Sequence, residues 1–359
     1  MWLNVIACWP DSASGFLRSP NLPMSLRPHL LASLLLSLGM TLGPLTSAVA
    51  AQLNIAVSDI GAGSKPAGGG LVDVIHAQQR LDKAFSAEGV TVKWHFFKGA
   101  APLINEAFAN GQLDMAYLGD LGSIVGKSGG LDTRVVAVAA RGVAHYLAVP
   151  PGSSIQALAD LKGKRVGLFR GTAAQLSFID ALRTAGLTEK DTSVINLDFA
   201  AASAALAARQ IDATWGGINI LALRERGQAQ VPVSTHDLGG AGELSGLVLV
   251  SQKLLDEHPD WVSKIVQVQR DASSWASAPQ NREAYIQLLA DQASYPASLL
   301  KANLEGAPPL SVLLSPELDS GFVERLKQSI GSAREARLIR RDIDVDQWLA
   351  PQFLHQTRP

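Results

Sequence analysis

The chain has 359 residues, a formal charge of −1, and 47% hydrophobic against 18% charged residues. That composition excludes a disordered polymer, and the length suits two domains better than one. Near-zero charge speaks against a nucleic-acid partner, which would favour a basic face.

Taken in chain order, the first informative segment is LLASLLLSLGMTLGPLTSAVA, residues 30–50. It is apolar, follows Arg27 and closes on Ala48-Val49-Ala50, the small-residue spacing of a cleavage site. A secretory signal peptide starting at Met24 is expected, with residues 1–23 an upstream start or an unusual leader. The alternative is a membrane anchor, but Gly39, Gly43 and Pro44 interrupt the run. A mature chain from about Ala51 would lose Cys8, its sole cysteine. Disulfides, a cysteine nucleophile, thiolate metal sites and a lipoprotein anchor are then excluded. A soluble periplasmic product is expected.

LNIAV (53–57) predicts a strand, followed by a glycine-rich loop over Ser58–Gly70 and helical spacing in LVDVIHAQQRLDKAF. VTVKWHFF (90–97) predicts a second strand, LINEAFANG a helix, LDMAYLG (113–119) a third strand and DTRVVAVAA another. The same rhythm restarts at HYLAVP, with strands at RVGLF, SVINLDF and IDATWG and helices at LSFIDALRTAGL and ALAARQ. Repeated βαβ units imply mainly parallel sheets with helices on both faces. Two stretches, FFKGAAPLINEAFANGQLDMAYLGD and LDFAAASAALAARQIDATWGG, share a pattern: strand, small-residue loop, helix, polar–apolar–Asp, strand ending in glycine. Either the chain contains two topologically similar lobes, or two βαβ units look alike by chance. From Lys253 the pattern is helical, with VLLS (312–315) a last strand-like run. Strands crossing near Arg141–Tyr146 and returning near Leu244–Val250 would join the lobes twice.

Three strand-end regions are candidates for function, because ligands in open α/β sheets bind beyond the carboxyl ends of strands. The first is the Ser58–Gly70 loop, including Gly63, whose glycines permit close backbone approach; it matches neither GxGxxG nor a P-loop and is otherwise a surface loop. The second is LFRGTAAQ. Gly171 permits a turn, Thr172 suits an N-cap, and Thr172, Ala173 and Ala174 would present amides that favour an anion. Every capped βα turn offers as much, so an ordinary helix start is the competing reading. The third pairs YLGD with TWGG. Asp120, after Gly119, could cap the next helix or hold a ligand amine. Trp215 could pack a ligand body or sit in the core. His145 lies at the presumed crossing, and Arg141 or Arg170 could fork onto an oxyanion or simply face solvent. No HExxH, no GxSxG and no clustered histidine set is present, so neither catalysis nor a metal or cofactor is expected.

These segments together resemble the periplasmic solute-binding proteins of ABC importers for aliphatic sulfonates, nitrate and taurine. The resemblance covers nearly all of the mature chain. Its most specific piece is IQALADLKGKRVGLFRGT (155–172). It implies a type II periplasmic binding fold: two α/β lobes joined by two crossing strands, closing on a ligand between them. Lobe 1 would be residues 51–143 with 245–359, and lobe 2 residues 144–244. It further implies an anion held at Gly171, Thr172 and Ala173, a first-lobe loop at Lys98, Gly99, Ala100 and Pro102, a glycine–acid strand end at Gly119 and Asp120, and an aromatic strand end at Trp215. The partners implied are a small organic anion, most simply a sulfonate taken up as a sulfur source, and a membrane permease with its ATPase; a monomer is expected. The chain departs from that pattern. Thr172-Ala173-Ala174-Gln175 stands where relatives often have several serines, and Trp215-Gly216-Gly217 where they often run Trp-Asp-Pro. A cleft re-lined for a different organic anion follows as an expectation. Nitrate, taurine or another small solute, or an enzyme on this fold like those of pyrimidine synthesis, are the alternatives.

Overall fold

The computed structural model describes residues 51–355. The signal-peptide reading, with Cys8 and the cleavage site, lies outside them. Among the described residues no helix is long and apolar enough to cross a membrane.

The chain begins with β1 (Gln52–Ser58), α1 (Leu71–Ala77), α2 (Arg80–Phe85), β2 (Thr91–Phe97), α3 (Ala100–Ala109), β3 (Met115–Gly119), α4 (Asp120–Gly129) and β4 (Thr133–Val143). It continues with β5 (Tyr146–Val149), β6 (Arg165–Leu168), α5 (Ala173–Thr184), β7 (Ser193–Asn196), α6 (Phe199–Ala207), β8 (Ala213–Gly216), α7 (Ile218–Glu225) and β9 (Gln230–Ser234). β10 (Leu244–Ser251) then leads into α8 (Gln252–Glu257), α9 (Pro259–Ser277), α10 (Arg282–Ala293), α11 (Ala297–Asn303), α12 (Leu310–Leu313), α13 (Ser320–Glu335) and α14 (Val345–Trp348).

The first sheet has the order β2-β1-β3-β10-β4 and the second β7-β6-β8-β5-β9. β1 pairs in parallel with β2 and β3, and β6 with β7 and β8. β10 runs antiparallel to both β3 and β4, and β5 antiparallel to both β8 and β9. The sheets are therefore mixed, where the βαβ rhythm alone predicts mainly parallel ones. The strand that crosses back into each lobe enters head-down between two others, which no local pattern announces. Each lobe thus repeats one topology, and the fold is two-lobed α/β.

The repetition reaches single residues. Asp114 ends Gln112-Leu113-Asp114, and its Oδ2 accepts from Asn54 N (2.7 Å) and Asn54 Nδ2 (3.0 Å). Asp212 ends Gln210-Ile211-Asp212, and its Oδ2 accepts from Arg165 N (2.8 Å). In return Asp114 N donates to Asn54 O and Asp212 N to Arg165 O. The shared polar–apolar–Asp pattern is thus a side-chain clasp at the start of the central parallel pair in each lobe, where the ladder has no further backbone acceptor.

Both faces of the first sheet are covered. One carries Leu53, Ile55 and Val57 against Phe85, Val262 and Ile265. The other carries Ala56 and Leu118 against Ile104, Ile124, Phe322 and Trp348. In the second lobe Leu147, Val166, Phe178 and Trp215 form one core. Tyr146, Ile220 and Leu221 form another, which Ala67, Tyr295 and Leu299 from outside that sheet complete.

Three local expectations differ from the structure. VLLS is not a strand: Val312 and Leu313 end the short helix α12, which Pro309 N-caps, and Leu314 and Ser315 lie beyond it. The long helix expected after the glycine-rich loop breaks between α1 and α2, where Gln79 takes a left-handed φ of 53°. Strand β9 and helices α4, α7 and α11 are not among the elements the sequence predicts and are additions.

Two buried carboxyls pin loops rather than bind ligand. Asp73, with no exposed surface, accepts from Gly68 N (2.8 Å) and Gly69 N (3.0 Å). Asp120 accepts from Leu121 N (2.7 Å) and Ser245 N (3.0 Å), tying α4 to β10. Burial raises Asp73 to about 6 and Asp120 to about 7. An acid raised in the folded state binds its proton better folded than unfolded. Its contribution is therefore most favourable at low pH and shrinks as pH rises through the interval from its ordinary value to the raised one. Buried histidines, depressed by the same desolvation, act in the opposite sense, so difference curves isolate each acid. We expect the Tm of wild type minus that of D73N, and likewise of D120N, to become more positive as pH falls from about 8 to about 5; a difference that falls over this range would contradict the assignment. Removing the first-lobe clasp with Asp114→Ala should cost about 1–3 kcal/mol by urea titration, since it leaves two donors on Asn54 without their acceptor.

Candidate functional site

The second-lobe turn that follows β6 forms because Gly171 adopts φ 78°, which a side chain resists. Thr172 is then extended and serves as N-cap of α5, but its hydroxyl does not cap the helix. Oγ1 donates instead to Phe169 O at 2.7 Å, closing the turn on itself. The first backbone amide inside α5 to find an acceptor in the turn is Gln175 N, on Thr172 O at 2.9 Å. The amides of Ala173 and Ala174 lie ahead of it, in the part of a helix that has no intrahelical acceptor.

Gly171 N is already engaged. It donates to Gln175 Oε1 at 2.8 Å, and Gln175 Nε2 donates to Glu189 Oε2 at 2.8 Å. Glu189 also pairs with the guanidinium of Arg170, whose own backbone N donates to Asn196 Oδ1 at 3.0 Å. The candidate cradle therefore narrows from Gly171, Thr172 and Ala173 to Thr172, Ala173 and Ala174, and Arg170 is balanced by Glu189 instead of standing free as an oxyanion fork.

The first lobe meets this turn directly. A Cβ on Gly119 would lie 2.7 Å from Ala173 Cβ, so only glycine lets the end of β3 rest against the start of α5. A Cβ on Gly171 would lie 3.2 Å from Pro102 Cγ on α3. Gly99 and Ala100 open α3, where Ala100 is buried with φ 48°, an uncommon backbone state for a residue with a side chain. Lys98, just before, is exposed. The structure thus brings Gly119 and Pro102 of the first lobe against Ala173 and Gly171 of the second; Gly99 and Ala100 stand just before Pro102, at the start of α3.

Other candidates lie elsewhere or are spent. Trp215 is a core residue: it is 2% exposed and its Nε1 donates to Ser177 Oγ at 2.8 Å. It packs on Phe178, and no face is free for a ligand body. Asp120 is next to the junction, but it is 4% exposed and each of its oxygens accepts from a backbone amide, which ties it to the protein's own chain. Arg141 is held by Ser315 O, Glu317 O and Asp319, over the ring of Phe322. Several amides of the glycine-rich loop are already engaged. Gly61 N and Ala67 N donate to Asp59 Oδ1, and Ala62 N to Ala293 O. Gly63 faces Ser294, which would stand 2.2 Å from a Cβ there, so close packing and not ligand approach accounts for this glycine. Ser58 is half-buried at the end of β1, in register with Phe97. His145 is buried at the start of the second lobe. Its Nδ1–H donates to Ala144 O at 3.0 Å, and burial lowers the ring to about 4, so it is neutral near pH 7.

Sequence reasoning missed Gln175 and Glu189 as partners of the turn. Gln175 stands four residues after Gly171, one helical turn, and could have been suspected; Glu189, on a later turn, carries no local signal. It also missed Phe169 and Phe199, which meet edge to face at 5.5 Å beside the helix start. Among the described residues no three His, Cys, Asp or Glu side chains gather to hold a metal ion.

Comparison with known proteins adds the context. The family model described as NMT1/THI5 like matches residues 85–282. A relative from Escherichia coli K12, named for binding aliphatic sulfonates, is 26% identical over 274 residues, 76% of this chain and 82% of the relative. A solved structure from Methylobacillus flagellatus, titled a periplasmic sulfonate-binding protein of a sulfonate ABC transporter, superposes with TM-score 0.73 at 26% identity, covering 84% of this chain and 92% of that one. A desulfurization enzyme, DSZB, shares the fold at TM-score 0.62 and 17% identity, over 85% of this chain and 97% of its own. The matched span exceeds half of the sequence, and the chain belongs to the NMT1/THI5-like family, with the two-lobed fold of periplasmic binding proteins.

Proposed function

We propose that the chain binds a sulfonate-bearing organic solute between its two lobes and hands it to the permease and ATPase of an importer. Residues 51–143 with 245–359 serve as one lobe and 144–244 as the other, in an exported protein working in the periplasm. The observation that carries this reading is the seating of the α5 start against Gly119 of the opposite lobe. An anion entering there meets the Thr172–Ala174 amides from one side and the β3–α3 junction from the other. Amide dipoles stabilise a sulfonate without a buried counter-ion, and closure removes the water that would compete. Relatives named for sulfonate binding support the choice of head group.

An organic rather than a bare inorganic anion is favoured by the apolar surface beside the turn. Thr172 Oγ1 is bonded to the carbonyl of Phe169, whose half-buried ring sits edge-on to that of Phe199. With Trp215 in the core, this pair is the aromatic surface adjoining the helix start. It suits an alkyl or aryl tail.

A thermal-shift screen over methanesulfonate, hexanesulfonate, benzenesulfonate, a sulfate ester, nitrate and taurine tests the assignment. A solute that binds only the folded state stabilises it by about 2.7 kcal/mol at a hundredfold excess over Kd. We expect the sulfonates with apolar tails to shift Tm most; a shift with nitrate or taurine alone would redirect the reading. Recovery of the solute unchanged after long incubation is expected of a binder, whereas a desulfurised product would reveal an enzyme.

The site is tested by comparing T172P with W261A. Thr172→Pro removes an amide and the turn-closing hydroxyl. Trp261 packs on His258 and Phe85, in the first-lobe core with α9. We expect T172P to weaken sulfonate binding by about tenfold or more in calorimetry, and W261A to lower Tm by several degrees with affinity unchanged. Equal affinities in the two variants would remove the helix start from the site.

A further inference from the structure

Gln175 departs from what an ordinary first-turn residue does. It is 4% exposed, and both ends of its carboxamide are used: Oε1 takes the Gly171 N–H and Nε2 gives to Glu189. Glu189 is fixed in turn by Arg170, which flanks the same glycine. The three side chains form a closed brace from Arg170 through Glu189 and Gln175 back to Gly171. Its product is a turn in which Gly171 N is taken up by Gln175 and the following amides are left without internal partners.

We propose that Gln175 is a positioning residue for the head-group site: seated on Glu189, it draws the Gly171 amide inward and so aims the Thr172–Ala174 amides at the bound anion. This rests on the sulfonate reading above. It adds that Gly171 N is not itself a ligand contact, and that selectivity at this site depends on a neutral carboxamide. A carboxylate at the same position would accept from Gly171 equally well, yet it would face Glu189 with like charge and stand closer to the ligand anion than any other acid of the turn. The charged groups around it are Glu189 and Arg170, Lys190 and Asp191 on the turn that bears Glu189, and Asp180 and Arg183 further along α5. Asp191 is itself occupied by Thr188 N and Oγ1.

The pair of substitutions Q175L and Q175E separates positioning from bulk packing. Leucine fills the space and makes neither bond. In Q175E the introduced carboxyl reproduces the glutamine pattern only when it shares a proton with Glu189, one of its oxygens accepting from Gly171 while the shared proton bridges to Glu189. With benzenesulfonate and hexanesulfonate as probes in calorimetry, Q175L should bind about tenfold more weakly than wild type at both about pH 8 and about pH 5.5. Q175E should be as weak as Q175L at about pH 8 and recover to within about threefold of wild type at about pH 5.5. A purely structural role would shift Tm without this pH-dependent rescue. Wild-type affinity in Q175L, or a Q175E affinity that does not change with pH, would overturn the proposal. The ligand-free protein gives a second reading by amide hydrogen exchange. Gly171 N–H should be protected in wild type and exposed in Q175L, and protection persisting in Q175L would equally overturn it. If wild type bound neither sulfonate while the exchange result held, the sulfonate reading would fall and the brace would stand.

Discussion

Every buried backbone N–H needs an acceptor, and this molecule meets that demand at its loops with side-chain oxygens. Asp59 and Asp73 take up the amides of the glycine-rich loop, Asp114 and Asp212 the first amides of the central strands, Asp120 the entry to β10, and Gln175 the amide of Gly171. At the start of the second-lobe helix this provision stops one residue later, as it does at other helix starts here that have no side-chain cap. The turn is closed by a hydroxyl that donates to a carbonyl, so it neutralises no amide at the helix start. The anion site proposed above would then be defined by subtraction: it is where the turn leaves its last amides without an acceptor.

The lobes can meet at that place because three positions are small. Glycine at 119 and alanine at 173 bring a strand end and a helix start to backbone distance, and glycine at 171 admits Pro102. Small residues remove bulk that would hold the halves apart, and they leave main-chain groups to do the recognition. The cost is borne in conformation, at Gly171 and at Ala100, both with positive φ. With charge kept balanced in the Arg170–Glu189 pair, the anion binding proposed for this junction would rest on shape and amide dipoles and not on a large electropositive field.

Much of the fold was legible. Alternating apolar runs marked β1, β2, β6 and β8, and the recurrence of polar–apolar–Asp left two related lobes open beside a chance likeness of two βαβ units. The clasp chemistry behind that recurrence was not legible, because it depends on Asn54 and Arg165, which lie 60 and 47 residues before their aspartates. The antiparallel entry of β5 and β10 was invisible for the same reason. At the site, glycine and threonine of the turn could be read, since a left-handed turn and an N-cap are local demands. Trp215 could not be assigned from sequence alone, because its fate depends on Ser177 reaching its indole. The brace through Glu189 was hidden too, since it joins a helix start to a later turn with nothing local to mark it. Local geometry was readable; the allocation of hydrogen-bonding capacity between distant segments was not.

The placement of β10 between β3 and β4 has a consequence for the order in which the chain can be completed as it is made. All strands of the second sheet lie within one continuous stretch, from Tyr146 to Ser234. The first sheet cannot close until Leu244–Ser251 has emerged, and until then β3 and β4 present bare edges to their surroundings. The sheet begun second can therefore pair fully first, although its core still waits for Tyr295 and Leu299, and the sheet begun first stays open as a receptor for its own late strand. During biogenesis that open seam is the segment most in need of shelter from other nascent chains.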